Sequence, residues 1–447
     1  MESVRKKIKN IQEAEGFLEG IPQFSGEETG FKYGVDRARL LLECAGNPQR
    51  KLKIVHVAGS NGKGSVCALL DKAFQAAGYK TGLFTSPHLK DIRERIRFCS
   101  EMIGEYDFVR FLNRTLDVVD KAQKRYPELI PAYFEYFFVT AMMYYAEKGA
   151  DVVLLETGLG GRLDATNACG SPVLSVITPV SLEHTAILGH TIEEIAAEKA
   201  GIIKEGVPVV VTGSDRRALR VFEDAADKAG SRLFVFSKEH ISINAVSPEN
   251  IDFSLHNGYY RNVAVTLPIP AVYEAENAGL ALTALGALAE GGGLKGFDKG
   301  RLANSLPDIL DAFSHFLWPG RMERIGEGIF ADGAHNTAGI KAFTESAAAF
   351  AADKENVLLF AVSDDKDKEE MVRLLCESRL FSAAVVTAFS GVRSADAKKV
   401  AESFKEYGQA DVTVEADVRT AFRKALAISH DYVFCTGSLY LVGELTG

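Results

Sequence analysis

From Lys53 onward, short apolar runs alternate with longer amphipathic ones. "KIVHVAG" (53–59) reads as a buried strand, "GSVCALLDKAFQAAG" (64–78) as a helix and "KTGLFTSP" (80–87) as a second strand. "PAYFEYFFVTAMMYYAEKG" (131–149) is a helix apolar on most faces and hence expected to be buried. "ADVVLLETGLGG" (150–161), "SPVLSVITPV" (171–180) and "GVPVVVTG" (206–213) read as strands, with a helix over "TIEEIAAEKAGII" (191–203). Strands alternating with helices predict crossover units and a parallel sheet covered on both faces. An alanine-rich helix, "AENAGLALTALGALAEGGG", stops at Gly291 to Gly293.

After that the pattern restarts. "FLWPGRMERI" carries a Trp-Pro-Gly punctuation that reads as an interdomain hinge. Beyond it, "GIFADGAHN", "ENVLLFAVS", "SAAVVTAF" and "DYVFCTGS" are strand-like runs interleaved with helical segments, which predicts a second, smaller α/β domain. The expected organisation is a larger α/β domain with a mainly parallel sheet (1–313), a linker (314–320) and a smaller Rossmann-like α/β domain (321–447).

Composition narrows the function classes. A chain of 447 residues exceeds one hydrophobic core, and 47% hydrophobic with 25% charged residues fits a globular protein. A net charge of -9 argues against a nucleic-acid partner, which usually needs a basic face, yet permits a local positive pocket. Six cysteines without paired spacing suit reduced thiols in a cytoplasm. No apolar region follows the basic start, and no run reaches membrane-spanning length, so neither a signal peptide nor a membrane partner is expected.

The chemistry begins at Gly59-Ser60-Asn61-Gly62-Lys63-Gly64-Ser65, between a predicted strand and a predicted helix. Glycines let successive N–H groups turn toward phosphate oxygens, Lys63 adds a point charge and the helix start adds its dipole. The spacing departs from the common Walker pattern. Val57 stands where its first glycine belongs, and Gly64 separates the lysine from Ser65. The alternative is a glycine-rich turn without a ligand.

A triphosphate brings Mg²⁺, which takes hard oxygen ligands. Ser86 in "LFTSPHLKD" and Glu156 in "VVLLETGLGGRLDATN" both follow strands, where open α/β sheets hold ligands. Ser86 alone reads equally as a turn serine before Pro87. Glu156, ending an apolar strand, must be paired, metal-bound or bonded to backbone amides. His184 in "PVSLEHTAILGHT" by itself reads as a structural histidine.

Together these motifs resemble the folylpolyglutamate synthase and dihydrofolate synthase family of the Mur ligase superfamily. The likeness runs in order through "FKYGVDR", "GNPQ", "HVAGSNGKGS", "LFTSPHL", "ERIRF", "FEYF", "LETGLGGRLDATN", "LEHTAILGHTIEEIAAEKAGIIK", "WPGRME", "DGAHN", "DDKD" and "TGSLYLVGE". The resemblance implies ATP and Mg²⁺ as cofactors. It also implies phosphorylation of a carboxylate on a folate or dihydropteroate, and attack by L-glutamate on the acyl phosphate. It places the triphosphate on Asn61, Gly62, Lys63, Gly64 and Ser65, and the metal on Ser86, Glu156 and His184. Lys199 matches a lysine carbamylated in the superfamily; otherwise it is a helix-end lysine serving the dipole or an ion pair. Arg321 and Asp332 match ATP contacts, Asn277 an adenine contact, His335 a position linked to glutamate or the catalytic centre, and Ser438 a weaker glutamate candidate with a plain loop serine as its alternative.

Three departures mark this chain. Ser60 replaces a threonine, Glu183 turns the usual "LDH" into "LEH", and Tyr273-Glu274 stand where the family has a His-Gln pair. Two rival readings remain. One is a Mur-type ligase acting on another carboxylate, against which the loop lies too near the start to leave room for a nucleotide-sugar domain. The other is a nucleotide-binding paralogue without ligase activity, supported chiefly by Tyr273-Glu274. A cytoplasmic monomer acting on small molecules is expected.

Overall fold

The first strand, β1 (Ile54–Ala58), is buried along its whole length, as a strand with both faces covered must be. It lies inside an eight-stranded sheet with β2 (Thr81–Phe84), β3 (Ile96–Phe98), β4 (Glu101–Met102), β5 (Val152–Glu156), β6 (Leu174–Ile177), β7 (Val209–Thr212) and β8 (Leu233–Phe236). The order is β4-β3-β2-β5-β1-β6-β7-β8. All neighbours from β2 to β8 pair in parallel, while β3 and β4 add an antiparallel edge. In this computed structural model the described residues are 7–22, 34–391, 393–428 and 430–447. The first six residues of the basic start and the opening Phe31 to Tyr33 of "FKYGVDR" lie outside them.

The chain divides into two compact units, Met1–Ser237 with Leu280–Ala312, and Lys238–Gly279 with Phe313–Gly447. In the first, the helix Tyr133–Lys148 buries eleven side chains, from Glu135 to Tyr145, as its all-round apolar pattern predicts. Within that packing Arg37 bonds the Glu135 carboxylate through Nε and Nη2, and both residues are nearly inaccessible. Burial raises the Glu135 carboxyl, and the guanidinium opposes it. A second buried polar pair lies on β1, where His56 Nε2 is 2.9 Å from Thr166 Oγ1.

The second unit holds a six-stranded sheet of β12 (Glu323–Gly326), β13 (Ile329–Ala331), β14 (Asn356–Phe360), β15 (Phe381–Val386), β16 (Asp411–Val414) and β17 (Tyr432–Thr436), ordered β12-β13-β17-β14-β15-β16. Only β12 runs antiparallel to its neighbour. The same unit carries an antiparallel three-stranded sheet of β9 (Ile241–Val246), β10 (Ile251–Leu255) and β11 (Val263–Leu267). Side chains of β10 alternate between buried and half-buried, the signature of a sheet covered on one face. The four strand-like runs past Trp318 all become strands of the six-stranded sheet. Two parallel-rich sheets in two α/β bodies match the expected fold.

Candidate active site

Beyond the carboxyl end of β1 the chain turns tightly before the helix Lys63–Ala76. Gly59 and Gly62 adopt φ of 148° and 85°, open to glycine and costly for other residues. A side chain on Gly59 would also overlap the Thr178 hydroxyl. The segment after β6 pins this loop. Ser60 N–H donates to Pro179 O at 2.9 Å, and Thr178 Oγ1 donates to Asn61 O at 2.7 Å. Ser60 Oγ donates to Ser181 O at 3.1 Å and accepts from Ser181 N–H at 3.0 Å. Lys63 Nζ folds back over the turn, donating to Gly59 O and Ser60 O at 3.0 Å each. Gly62, the N-cap, supplies no side-chain acceptor, so the amides of Lys63, Gly64 and Ser65 start the helix without a side-chain cap. A helix start in that state suits an anion.

Glu156 ends β5, the strand beside β1, and pairs in register with Val57. It is 4% exposed, and its Oε2 accepts the Ser86 N–H at 2.8 Å. The sheet thus brings together two predicted metal ligands seventy residues apart in sequence. Cys67, one turn along the helix from Lys63, registers both charges: burial and then Glu156 push its thiol up, and Lys63 opposes them. A carboxylate and a hydroxyl-bearing residue fit a hard cation. Among the described residues no group of three or more His, Cys, Asp and Glu could hold a metal. Magnesium commonly takes only one or two carboxylates and completes its shell with water and phosphate.

His184 starts the short helix Thr185–Leu188 at φ 46° and is exposed. Lys199, in the helix Ile192–Ala200, is fully buried and donates from Nζ to Glu183 Oε1 at 2.8 Å. Burial drives the Lys199 ammonium down, opposed by Glu183. Burial works to raise Glu183, yet Lys199 and then Lys63 draw it down to about 2. Glu183 therefore stands within the field of the loop lysine. Sequence reasoning marked it only as a departure; its charge in the run before His184 was the available signal.

In the second unit, Asp332 follows β13 and is 3% exposed. Its Oδ2 accepts from Met322 N–H at 2.9 Å and from the Tyr273 hydroxyl, and its Oδ1 accepts from Ala334 N–H at 2.8 Å. Arg321 is half-buried beside it, with Nη1 donating to Gly320 O at 2.9 Å. His335 Nδ1 lies 2.8 Å from Gly333 O, and since a carbonyl only accepts, that nitrogen carries the proton. Asn277 lies in the helix Val272–Gly291 and is 5% exposed. Ser438 is the N-cap of the helix Leu439–Thr446, its hydroxyl accepting from Tyr440 N–H at 3.1 Å.

Residues 57–285 match the Mur ligase middle domain, and residues 320–439 match the Mur ligase glutamate ligase domain. The chain is 30% identical over 446 residues to the dihydrofolate synthase/folylpolyglutamate synthase of Bacillus subtilis, covering 97% of this chain and 98% of that protein. The folylpolyglutamate synthase of Mycobacterium tuberculosis, solved with ADP and AMPPCP, superposes with a TM-score of 0.82 at 26% identity, covering 98% of each chain. The bifunctional folylpolyglutamate synthase/dihydrofolate synthase of Yersinia pestis, complexed with AMPPNP and a Mn ion, gives 0.80 at 26% identity over 98% of this chain and 97% of that one.

Proposed function

Because the chain belongs to the folylpolyglutamate synthase and dihydrofolate synthase family of Mur ligases, we propose that Lys63, Glu156 and Arg321 serve its joining of glutamate to a folate. The protein is an ATP-dependent ligase that uses a divalent metal. Adding the first glutamate to dihydropteroate is the second activity we propose, as the name of the Bacillus relative suggests.

A carboxylate oxygen of the folate attacks the γ-phosphorus of ATP, and ADP leaves. The glutamate amine then attacks the acyl carbon, phosphate departs with the C–O bond, and the amine loses its proton. A carboxylate becomes an acyl donor only once its oxygen is a good leaving group, and positioning with charge neutralisation supplies most of the help.

Lys63, leaving the carbonyls of Gly59 and Ser60, takes the outer phosphates, while Asn61, Gly62, Gly64 and Ser65 cradle them. Glu156 and Ser86 would hold Mg²⁺, with His184 completing the protein's share; the metal would neutralise charge on the phosphates. Lys199 joins that set only as a carbamate, formed by attack of its neutral amine on CO₂ with loss of a proton. As an ammonium it repels a cation. Arg321 balances charge on the transferring phosphoryl group, Asp332 takes a ribose hydroxyl, Asn277 the adenine and His335 the glutamate. The spans 57–285 and 320–439 support a division of the chain at 314–320.

The observation that carries this reading is the loop lysine folded onto its own turn, with the buried Glu156 ending the adjacent strand. Mass spectrometry of products from ATP, Mg²⁺ and glutamate, with either dihydropteroate or tetrahydrofolate, tests it. A gain of one glutamyl residue on tetrahydrofolate is expected. ATP binding without product on either acceptor would return the chain to a non-catalytic role. The free cysteines and the lack, among described residues, of a helix able to cross a membrane support a cytoplasmic setting, and we propose a monomer.

A further inference from the structure

The Asp332 carboxylate has about four acceptor positions. Oδ2 is filled by the Met322 N–H and the Tyr273 hydroxyl, and Oδ1 receives the Ala334 N–H, so that among the described residues one position, on Oδ1, is left. Burial and the adjacent carboxylate push the Tyr273 hydroxyl well up, so it remains a donor. Met322, fully buried at φ 42°, is held in that unfavourable conformation beside Arg321 by its bond to the same oxygen. Tyr273 and Asn277 stand one turn apart on one helix, and so on one face. Asn277 is nearly all buried there.

We propose that Tyr273 is a positioning residue for the nucleotide: its hydroxyl occupies Oδ2 of Asp332, so that a ribose hydroxyl is accepted at Oδ1 alone, in register with a base at Asn277. The proposal rests on the reading of Asp332 and Asn277 as nucleotide contacts. It assigns a role to a tyrosine that stands where the resemblance drawn from the sequence expects a histidine. The requirement at this position is a hydrogen-bond donor of the right reach, which either side chain meets. Without the donor, Oδ2 is left short inside a buried setting and the carboxylate is free to turn, which blurs the single position offered to ribose.

Steady-state kinetics of Tyr273→Phe and Tyr273→His with ATP, 2′-deoxy-ATP and 3′-deoxy-ATP test this. Tyr273→Phe should raise KM for ATP about tenfold, leave kcat within about twofold, and shrink the preference for ATP over the deoxy forms by a similar factor. KM for glutamate should stay unchanged. Tyr273→His should stay within about threefold of wild type on every count. An unchanged ATP KM and ribose preference in Tyr273→Phe overturns the proposal, as does a loss that extends equally to glutamate. If the phenylalanine variant does not fold, a folded histidine variant that loses tenfold in ATP KM overturns it alone. A wild-type protein indifferent to the ribose hydroxyls would remove the nucleotide reading of Asp332 as well.

Discussion

Lys199 Nζ and Glu183 Oε1 stand 2.8 Å apart, with the lysine side chain wholly out of solvent. Burial works against both charges, and each partner opposes that effect on the other. The pair also lies in the field of Lys63, so three charged groups from separate elements converge beside the glycine-rich turn.

Replacing Lys199 with alanine leaves Glu183 buried without its main partner. A loss of about 3 kcal/mol or more in urea denaturation is expected, together with at least a hundredfold drop in ligase rate. Added formate or acetate should restore part of the rate if a lysine carbamate is the working form. Complete indifference to short carboxylates would remove the carbamate from the mechanism.

Glu156→Gln keeps an oxygen for the Ser86 amide and removes the charge. The fold should persist, with the melting temperature within a few degrees, while kcat falls on the order of a hundredfold. Near-normal turnover at limiting Mg²⁺ would mean that Glu156 is no metal ligand.

Gly59→Ala meets the Thr178 hydroxyl and an unfavourable φ of 148° at once. Destabilisation of at least about 2 kcal/mol is expected, and ATP should no longer raise the melting temperature. A variant that keeps the wild-type thermal shift with ATP would show that the turn tolerates widening.

His56 supplies the pH dependence. Burial first, and Lys204 second, depress its pKa from 6.5 to about 3. The unfolded chain therefore takes up a proton near pH 6.5 that the folded chain refuses, and stability falls as pH drops from 6.5 toward 3. From pH 6.5 to 5 this one group should cost about 2 kcal/mol. Urea titrations of wild type and His56→Gln at pH 7.5 and 5 compare the two losses. Equal losses would mean that His56 plays no part.

The sheets and helices of both units were largely legible in the residues, because burial on both faces demands continuous apolar runs. "IVHVA", "VVLLE" and "NVLLF" could hardly be anything else. The antiparallel trio β9–β11 escaped. Its first strand, "ISINAV", is half-buried only at Ile241 and Val246 and exposed between them, so no continuous apolar run marks it. Glu156 was visible for a related reason, since charge at the end of an apolar strand stands out, and Lys63 because it sits among glycines between a strand and a helix. Ser438, by contrast, turned out to spend its hydroxyl on a helix N-terminus, which local sequence left undecided.

The order of residues along the chain was enough to determine two α/β bodies, a glycine-bearing turn at a helix start and a carboxylate ending a buried strand, because each is a local consequence of period, propensity and backbone freedom. Which charges neutralise one another was decided only in three dimensions. Glu183 reaches Lys199 across sixteen residues and Tyr273 reaches Asp332 across fifty-nine. Such partners are chosen by the cost of leaving a buried charge or donor unmatched, and that cost exists only after the chain has folded and water has gone.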